Sequence, residues 1–236
     1  MDGEKTTALV TGANKGIGYE IAAGLGALGW RIGVGARDDA RRDEAVAKLQ
    51  ADGVDAFGVP LDVSDDASVA AAAAQLDRLD VLVNNAGITG GAPQDPTTID
   101  LDILRTVLET NVFGVIRTTN AMLPLLRRSA SPRVVVMSST VGSLTRQQAG
   151  QAGPIAVGYS PSKTYLNAVT LQYVRELEGT NIKINLACPG YVATDLNGHQ
   201  GHRTPAQGAA VAVQLATIPD DGPTGGFFDD AGPIPW

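Results

Sequence analysis

The sequence predicts an α/β domain built on a parallel sheet buried between helices. Three observations carry this. Short β-branched runs alternate with Ala- and Leu-rich stretches of helical spacing along nearly the whole chain. The runs are apolar at consecutive positions, as in Val81-Leu82-Val83 and Val134-Val135-Val136-Met137, which suits strands covered on both faces. A glycine-rich turn joins the first run to the first helical stretch. Strands alternating with helices of this length imply right-handed βαβ crossovers.

The strand runs fall at 6–10, 31–36, 56–61, 79–83, 133–137 and 183–188, with a weaker one at 226–228. Helical spacing occupies 17–28, 39–51, 65–76, 98–127, 160–178 and 205–215. The alanine run at 70–74 is read as helix, since alanine is the best helix former and Ser64 or Asp65 can cap its start. Thr204-Pro205 reads as an N-cap followed by proline at the first helical position. Stretches 142–158 and 197–205 are loop-like, and neither a linker nor a repeat interrupts the pattern. One domain is expected over residues 1–236.

Composition narrows the function. With 44% hydrophobic and 18% charged residues the chain has material for a core, which excludes a disordered class. A net charge of −7 disfavours nucleic acid and anionic membrane surfaces as partners. One cysteine allows neither an intrachain disulfide nor a thiolate metal cluster. No apolar run is long enough to span a membrane, and residues 1–5 lack a signal-peptide core, so a cytoplasmic location is expected.

The turn Thr11-Gly12-Ala13-Asn14-Lys15-Gly16-Ile17-Gly18 has the spacing G-x-x-x-G-x-G, not the common G-x-G-x-x-G. Glycines between a strand and a helix can be plain loop chemistry. They also let the backbone approach a pyrophosphate held at the helix N-terminus. Where an NAD site wants a carboxylate after the second strand, this chain offers Ala36-Arg37, with Lys15 in the turn and Arg41 further on. Guanidinium there would pair with a 2′-phosphate, pointing to NADP(H). The alternative is that Arg37 and Arg41 are solvated partners of Asp38 and Asp39.

Tyr159 and Lys163 are four apart, one helical turn. A phenol near pKa 10 serves acid/base chemistry better when an ammonium stabilises its anion. Pro161 fits if Ser160 caps the helix and Pro161 opens it, placing Tyr159 just before the helix. Alone, the pair reads equally as an interfacial tyrosine with a surface lysine. Further signals gather at the carboxyl ends of the strands: Asn84-Asn85-Ala86-Gly87, Ser138-Ser139, and Pro189-Gly190 followed by Val192 and Thr194. Asn111 interrupts an apolar helical stretch, an unfavourable mid-helix choice without a role.

On these residues, together with Asp62-Val63, the chain resembles the short-chain dehydrogenase/reductase family over essentially its whole length. Asn14-Lys15, Ala36-Arg37-Asp38 and the Phe-rich tail ending in Trp236 resemble its NADPH-dependent carbonyl reductases. The resemblance implies a doubly wound, Rossmann-type parallel sheet of about seven strands. It implies Tyr159 as acid/base, Ser139 as hydrogen-bond partner of the substrate oxygen, and Lys163 as the group that acidifies Tyr159 and holds the nicotinamide ribose. Asn111 would anchor a water linking Lys163 to solvent. Gly12, Asn14, Lys15, Gly16, Ile17, Gly18, Arg37 and Arg41 would bind the phosphates, Asp62 and Val63 the adenine, and Asn84, Asn85, Ala86 and Gly87 the cofactor cleft. Pro189, Gly190, Val192 and Thr194 would complete the nicotinamide end.

The implied activity is NADPH-dependent reduction of a ketone or aldehyde. The alternatives are an NAD-linked secondary-alcohol dehydrogenase or a dinucleotide sensor without turnover. Ser139 and Tyr159 are separated by more than the family's usual spacing, so 142–158 is expected to be a modified pocket wall. That leaves assembly open between monomer and homo-oligomer, dimer or tetramer. His199 and His202 lack further ligands and read as part of a substrate-covering loop, with no metal expected. Cys188 reads as a small buried hydrophobe.

Overall fold

The β-branched runs form strands in one sheet whose neighbours are ordered β3-β2-β1-β4-β5-β6-β7-β8. A computed structural model describes residues 5–236; residues 1–4, read above for a leader, lie outside the described residues. The strands are β1 (Thr7–Thr11), β2 (Arg31–Ala36), β3 (Asp55–Pro60), β4 (Val81–Asn84), β5 (Arg133–Met137), β6 (Lys183–Ala187), β7 (Phe227–Asp229) and β8 (Gly232–Pro233). All neighbours pair in parallel except β7 and β8. The antiparallel β8 is an eighth strand beyond the expected seven. Its two residues carry no periodicity, and it exists because the tail folds back to pair Phe228 with Pro233.

Side chains alternate between two cores, as period-2 geometry requires. Leu9, Leu82, Val134, Val136, Ile184 and Leu186 face one layer. Ala8, Val10, Val81, Val83 and Val135 face the other. The helices covering them are α1 (Gly16–Gly26), α2 (Asp39–Ala51), α3 (Asp66–Ala74), α4 (Leu101–Leu108), α5 (Gly114–Leu126), α6 (Leu144–Gln148), α7 (Tyr159–Glu176) and α8 (Pro205–Ala216). Strand order reverses between β3-β2-β1 and β4-β5-β6, so a ligand crevice belongs outside the carboxyl ends of β1 and β4.

Three local expectations are corrected. The stretch 98–127 is not one uniform helix: a π-helical turn at Glu109–Phe113 separates α4 from α5. A single inserted residue leaves apolar periodicity nearly intact, so sequence cannot register it. The loop-like 142–158 contains α6, whose first turn Ser143 caps by accepting from the Arg146 N–H. Pro161 does not open a helix capped by Ser160. Helix α7 already begins at Tyr159, with Gly158 at its N-cap position and no side-chain bond from that residue. Two caps follow the sequence reading: Asp65 accepts from Ser68 N–H at 2.7 Å, and Thr204 accepts from Gln207 N–H ahead of Pro205.

Candidate active site

The carboxyl ends of β1 and β4 are laced together before any side chain reaches a ligand. Thr11 Oγ1 accepts from the N–H groups of Asn85 and Ala86, both at 2.9 Å, and Asn85 Nδ2 donates to the Thr11 carbonyl at 2.9 Å. Sequence reading gave Thr11 no role, although it opens the turn. Ala13 N–H donates to the Gly35 carbonyl, holding the turn against β2. Gly18 is required for close approach: a Cβ there would lie 2.4 Å from the Gly12 carbonyl oxygen. No side chain caps α1 at Lys15, so its first-turn N–H groups, near Gly16, Ile17 and Gly18, keep the free donors typical of a helix N-terminus. Asn14 lies in this turn half-buried. This glycine cradle with an uncapped helix end fits a dinucleotide pyrophosphate.

The basic residues at this edge differ in their commitments. Arg37 is exposed and has no ion-pair or hydrogen-bond partner among the described residues. Lys15 pairs with Asp195 at 2.5 Å across the cleft, and His199 Nε2 lies 2.9 Å from the same carboxylate. Arg41 Nε is 3.6 Å from Asp38, whose carboxylate also caps α2 by accepting from Arg41 N–H. Asp62 accepts from the hydroxyl and N–H of Ser64, which, with the hydroxyl first and Arg37 adding attraction, hold its carboxyl below the usual range.

Three expected cleft residues turn inward instead. Val63 is buried and in close contact with Gly114. Asn84 donates to Thr119 Oγ1 in the interior, at 3.0 Å. Val192 is buried, pairs with Arg203 in an isolated bridge and packs near Gly208. Pro189 is half-buried, Gly190 has φ 75° with the Arg203 side chain lying against it, and Thr194 sits against Gly16.

The acid/base group assembles where β5, α7 and the π-helical turn meet. Ser138 faces inward and donates to Asn167, which leaves Ser139 as the half-buried serine of the pair. Ser139 lies near enough to the Tyr159 phenol for its hydroxyl to lower the phenol's pKa. Lys163 Nζ lies 5.7 Å from the Tyr159 ring centroid and donates to the Met137 carbonyl at 2.8 Å. Asn111, fully buried, donates to the Ile88 carbonyl and to Ser162 Oγ, and accepts from Ile88 N–H at 2.8 Å. A Cβ at Gly87 would lie 3.3 Å from Asn111 Oδ1 and 3.7 Å from Lys163 Nζ, so this glycine backbone sits beside both.

The expectation of an acidified phenol is reversed in the protein alone. Burial pushes Tyr159 up to about 12, Cys188 nearby adds to the rise, and the Ser139 hydroxyl opposes it. Burial likewise pushes Lys163 down to about 8. Desolvation is the leading cause for each group, Lys163 being buried and Tyr159 half-buried. Cys188 is buried, with its thiol pushed up by burial. His202 is 6.0 Å from the Tyr191 ring, and no cluster of three or more His, Cys, Asp or Glu able to hold a metal occurs among the described residues. No helix among the described residues is long and apolar enough to cross a membrane.

Comparison with known proteins agrees with this geometry. The short chain dehydrogenase family model matches residues 6–204. Short-chain dehydrogenase/reductase 1 of Saponaria officinalis is 34% identical, the alignment covering 95% of this chain and 94% of that protein. Carbonyl reductase (NADPH) 1 of Bos taurus is 32% identical over the whole of both chains. That alignment runs to 282 positions, so the bovine protein has residues with no counterpart here. The solved structure of salutaridine reductase from Papaver somniferum superposes with a TM-score of 0.83 at 29% identity, covering 96% of this chain and all of the other. The matched length, the sheet order and the assembled Ser139, Tyr159 and Lys163 place this chain in the short-chain dehydrogenase/reductase family of oxidoreductases.

Proposed function

We propose that this oxidoreductase reduces a ketone or aldehyde to an alcohol with NADPH, using Tyr159 as proton donor. The observation that carries the reading is the convergence of Ser139, Tyr159 and Lys163 beside the glycine cradle. NADPH, when bound, supplies the hydride. The chain's own residues then have three tasks. Ser139 and Tyr159 together present hydroxyls to an incoming carbonyl oxygen, and negative charge developing there strengthens both bonds. Tyr159 delivers its proton to that oxygen, and Lys163, 5.7 Å from the ring centroid, steadies the phenolate left behind. Asn111 Oδ1 keeps a second lone pair beyond its bond to Ile88 N–H, an acceptor through which a water would link Lys163 to solvent.

The state of the phenol suits the proton-donor role. With Tyr159 at about 12, roughly one phenol in 10⁵ is ionised at pH 7, so the donor form needed for reduction predominates. Oxidation would need the scarce phenolate. NADPH is favoured over NADH by the unpartnered Arg37 and by the engagement of the Asp38 carboxylate at the start of α2, which takes it away from ribose hydroxyls. The named NADPH enzyme among the relatives supports the same choice. The substrate is a small carbonyl compound.

The test is spectrophotometric turnover of a carbonyl panel with NADPH and NADH, repeated with Tyr159→Phe. Reduction should fall by about 10³-fold or more in the variant, while NADPH binding changes little. Undiminished activity in Tyr159→Phe would overturn the mechanism.

A further inference from the structure

A helix that presents its catalytic side chain from the first turn faces a physical difficulty. First-turn N–H groups have no intrahelical acceptor, and helix ends fray unless capped. Helix α7 begins at Tyr159 and receives no cap from Gly158. The acceptor comes instead from Gln94, 65 positions earlier, in the segment after β4. Gln94 Oε1 accepts from Gly158 N–H at 3.1 Å and from Tyr159 N–H at 3.2 Å. Its backbone carbonyl accepts from Val157 N–H at 3.2 Å. Its Nε2 donates to the carbonyls of Thr89 and Gly91, and the residue is 5% exposed. A Cβ at position 158 would lie 3.1 Å from Oε1, so glycine there keeps the approach open.

The same segment also reaches the opposite end of the Tyr159 backbone. Ser162 Oγ donates to the Tyr159 carbonyl at 2.6 Å and accepts from Asn111 Nδ2, and Asn111 in turn bonds both backbone groups of Ile88. The N–H and the C=O of Tyr159 are thus both tied to residues 88–94, which follow directly on the cofactor-cleft residues Asn85 to Gly87.

We propose that Gln94 is a positioning residue: it caps α7 from outside the helix and sets the Tyr159 phenol against Ser139 and the cofactor cleft. Its buried side chain is spent on these backbone bonds, so it acts through Tyr159. The inference rests on Tyr159 being the proton donor. Proton donation and hydride transfer depend on sub-ångström placement, whereas cofactor binding rests on the glycine turn and strand ends, which Gln94 does not contact. Its removal should therefore divide kcat from cofactor KM.

The experiment uses the full chain with NADPH and a ketone that the wild type reduces. Gln94→Met fills similar space without hydrogen bonds, and Gln94→Glu keeps the acceptor for the α7 amides. Gln94→Met should lower kcat by about 10- to 100-fold with the KM for NADPH within about threefold of wild type. Gln94→Glu should keep more than about one-tenth of wild-type kcat. A Gln94→Met enzyme with wild-type kcat, a KM for NADPH rising in step with the loss, or a Gln94→Glu enzyme as slow as Gln94→Met would overturn the inference. If Gln94→Met does not fold, Gln94→Ala takes its place, read by the same division of kcat from the KM for NADPH. A wild type that is active and Tyr159-dependent but indifferent to Gln94 sinks only this inference. A wild type whose turnover ignores Tyr159→Phe sinks the functional reading itself.

Discussion

Replacing the three basic residues at the cofactor edge one at a time should give a ranking dictated by their present partners. Arg37 is exposed and has no ion-pair partner among the described residues, so its guanidinium meets a 2′-phosphate with no existing bond to break. A charge-assisted bond of this kind contributes about 1.5–3 kcal/mol, and every 1.4 kcal/mol is tenfold, so Arg37→Ala should raise the KM for NADPH by about 10- to 150-fold. Lys15 must first leave Asp195, from which it stands 2.5 Å away with both side chains about half exposed. The phosphate must compete with that existing pair, so the loss in Lys15→Ala should be smaller than in Arg37→Ala. Arg41, held beside the capping carboxylate Asp38, should matter least. Initial-rate measurements against NADPH and NADH for each variant give the ranking, with the KM for NADH nearly unchanged throughout. If Arg41→Ala cost more than Arg37→Ala, or Arg37→Ala left the cofactor preference intact, the assignment of Arg37 to the phosphate would be wrong.

Two other expectations concern protons. Because Lys163 sits at about 8 and Tyr159 at about 12, kcat for reduction should hold up to about pH 8 and decline above it, as the ammonium is lost while the phenol is still protonated. That alkaline limb should vanish from the residual pH profile of Lys163→Met, and its persistence there would assign it to another group. Asp80, which accepts from Arg78, Ser129 and Thr7 N–H, is held below the usual carboxylate range although burial alone would raise it. A lowered folded-state pKa contributes stability above about pH 4 that is lost as pH falls through the folded value. Asp80→Asn should thus cost about 2 kcal/mol at pH 7, less than a wholly buried pair because Arg78 keeps contact with water, and should flatten the acid limb of a denaturation curve. Equal sensitivity to acid in wild type and variant would place the acid-labile group elsewhere.

The parts of the fold that could be read from sequence are those whose physics is local. Val134 to Met137 read as a covered strand because a parallel strand is apolar on both faces, and Asp65 and Thr204 read as caps because their acceptors serve amides three residues on. The features that escaped are set by contacts distant in sequence or too short to leave a period. Strand β8 is two residues paired by a returning tail, α6 is five residues in a Gly- and Gln-rich stretch, and the π-helical turn differs from its neighbours by one residue per turn. The cap of α7 is the clearest case. Ser160 beside Pro161 has the local signature of a helix start, yet the amides of Gly158 and Tyr159 are taken by Gln94 from another loop. The start of this helix lies two residues earlier than its local signature because tertiary structure supplies an acceptor.

The candidate site divides along the same line. Ser139 was legible because a parallel sheet collects the carboxyl ends of its strands, Tyr159 and Lys163 because they stand one helical turn apart, and Asn111 as a polar residue in an apolar helical stretch whose role the family resemblance supplied. Their ionisation was not legible. Charge spacing along the chain shows an ammonium one turn from a phenol, which argues for a lowered phenol pKa. Burial of both groups is a property of the assembled cleft, and it acts on each in the sense opposite to that attraction. The two effects need not conflict. A phenol held high stays protonated at neutral pH and is ready to give its proton. Once an oxygen anion forms beside it, the relevant quantity is the difference in proton affinity between that alkoxide and Tyr159, and an alkoxide is the stronger base by several units. Lys163 then matters after transfer, where a buried phenolate would otherwise stand without a countercharge. On this account the burial that keeps Tyr159 protonated and the lysine that tolerates its anion act at successive moments of one reduction.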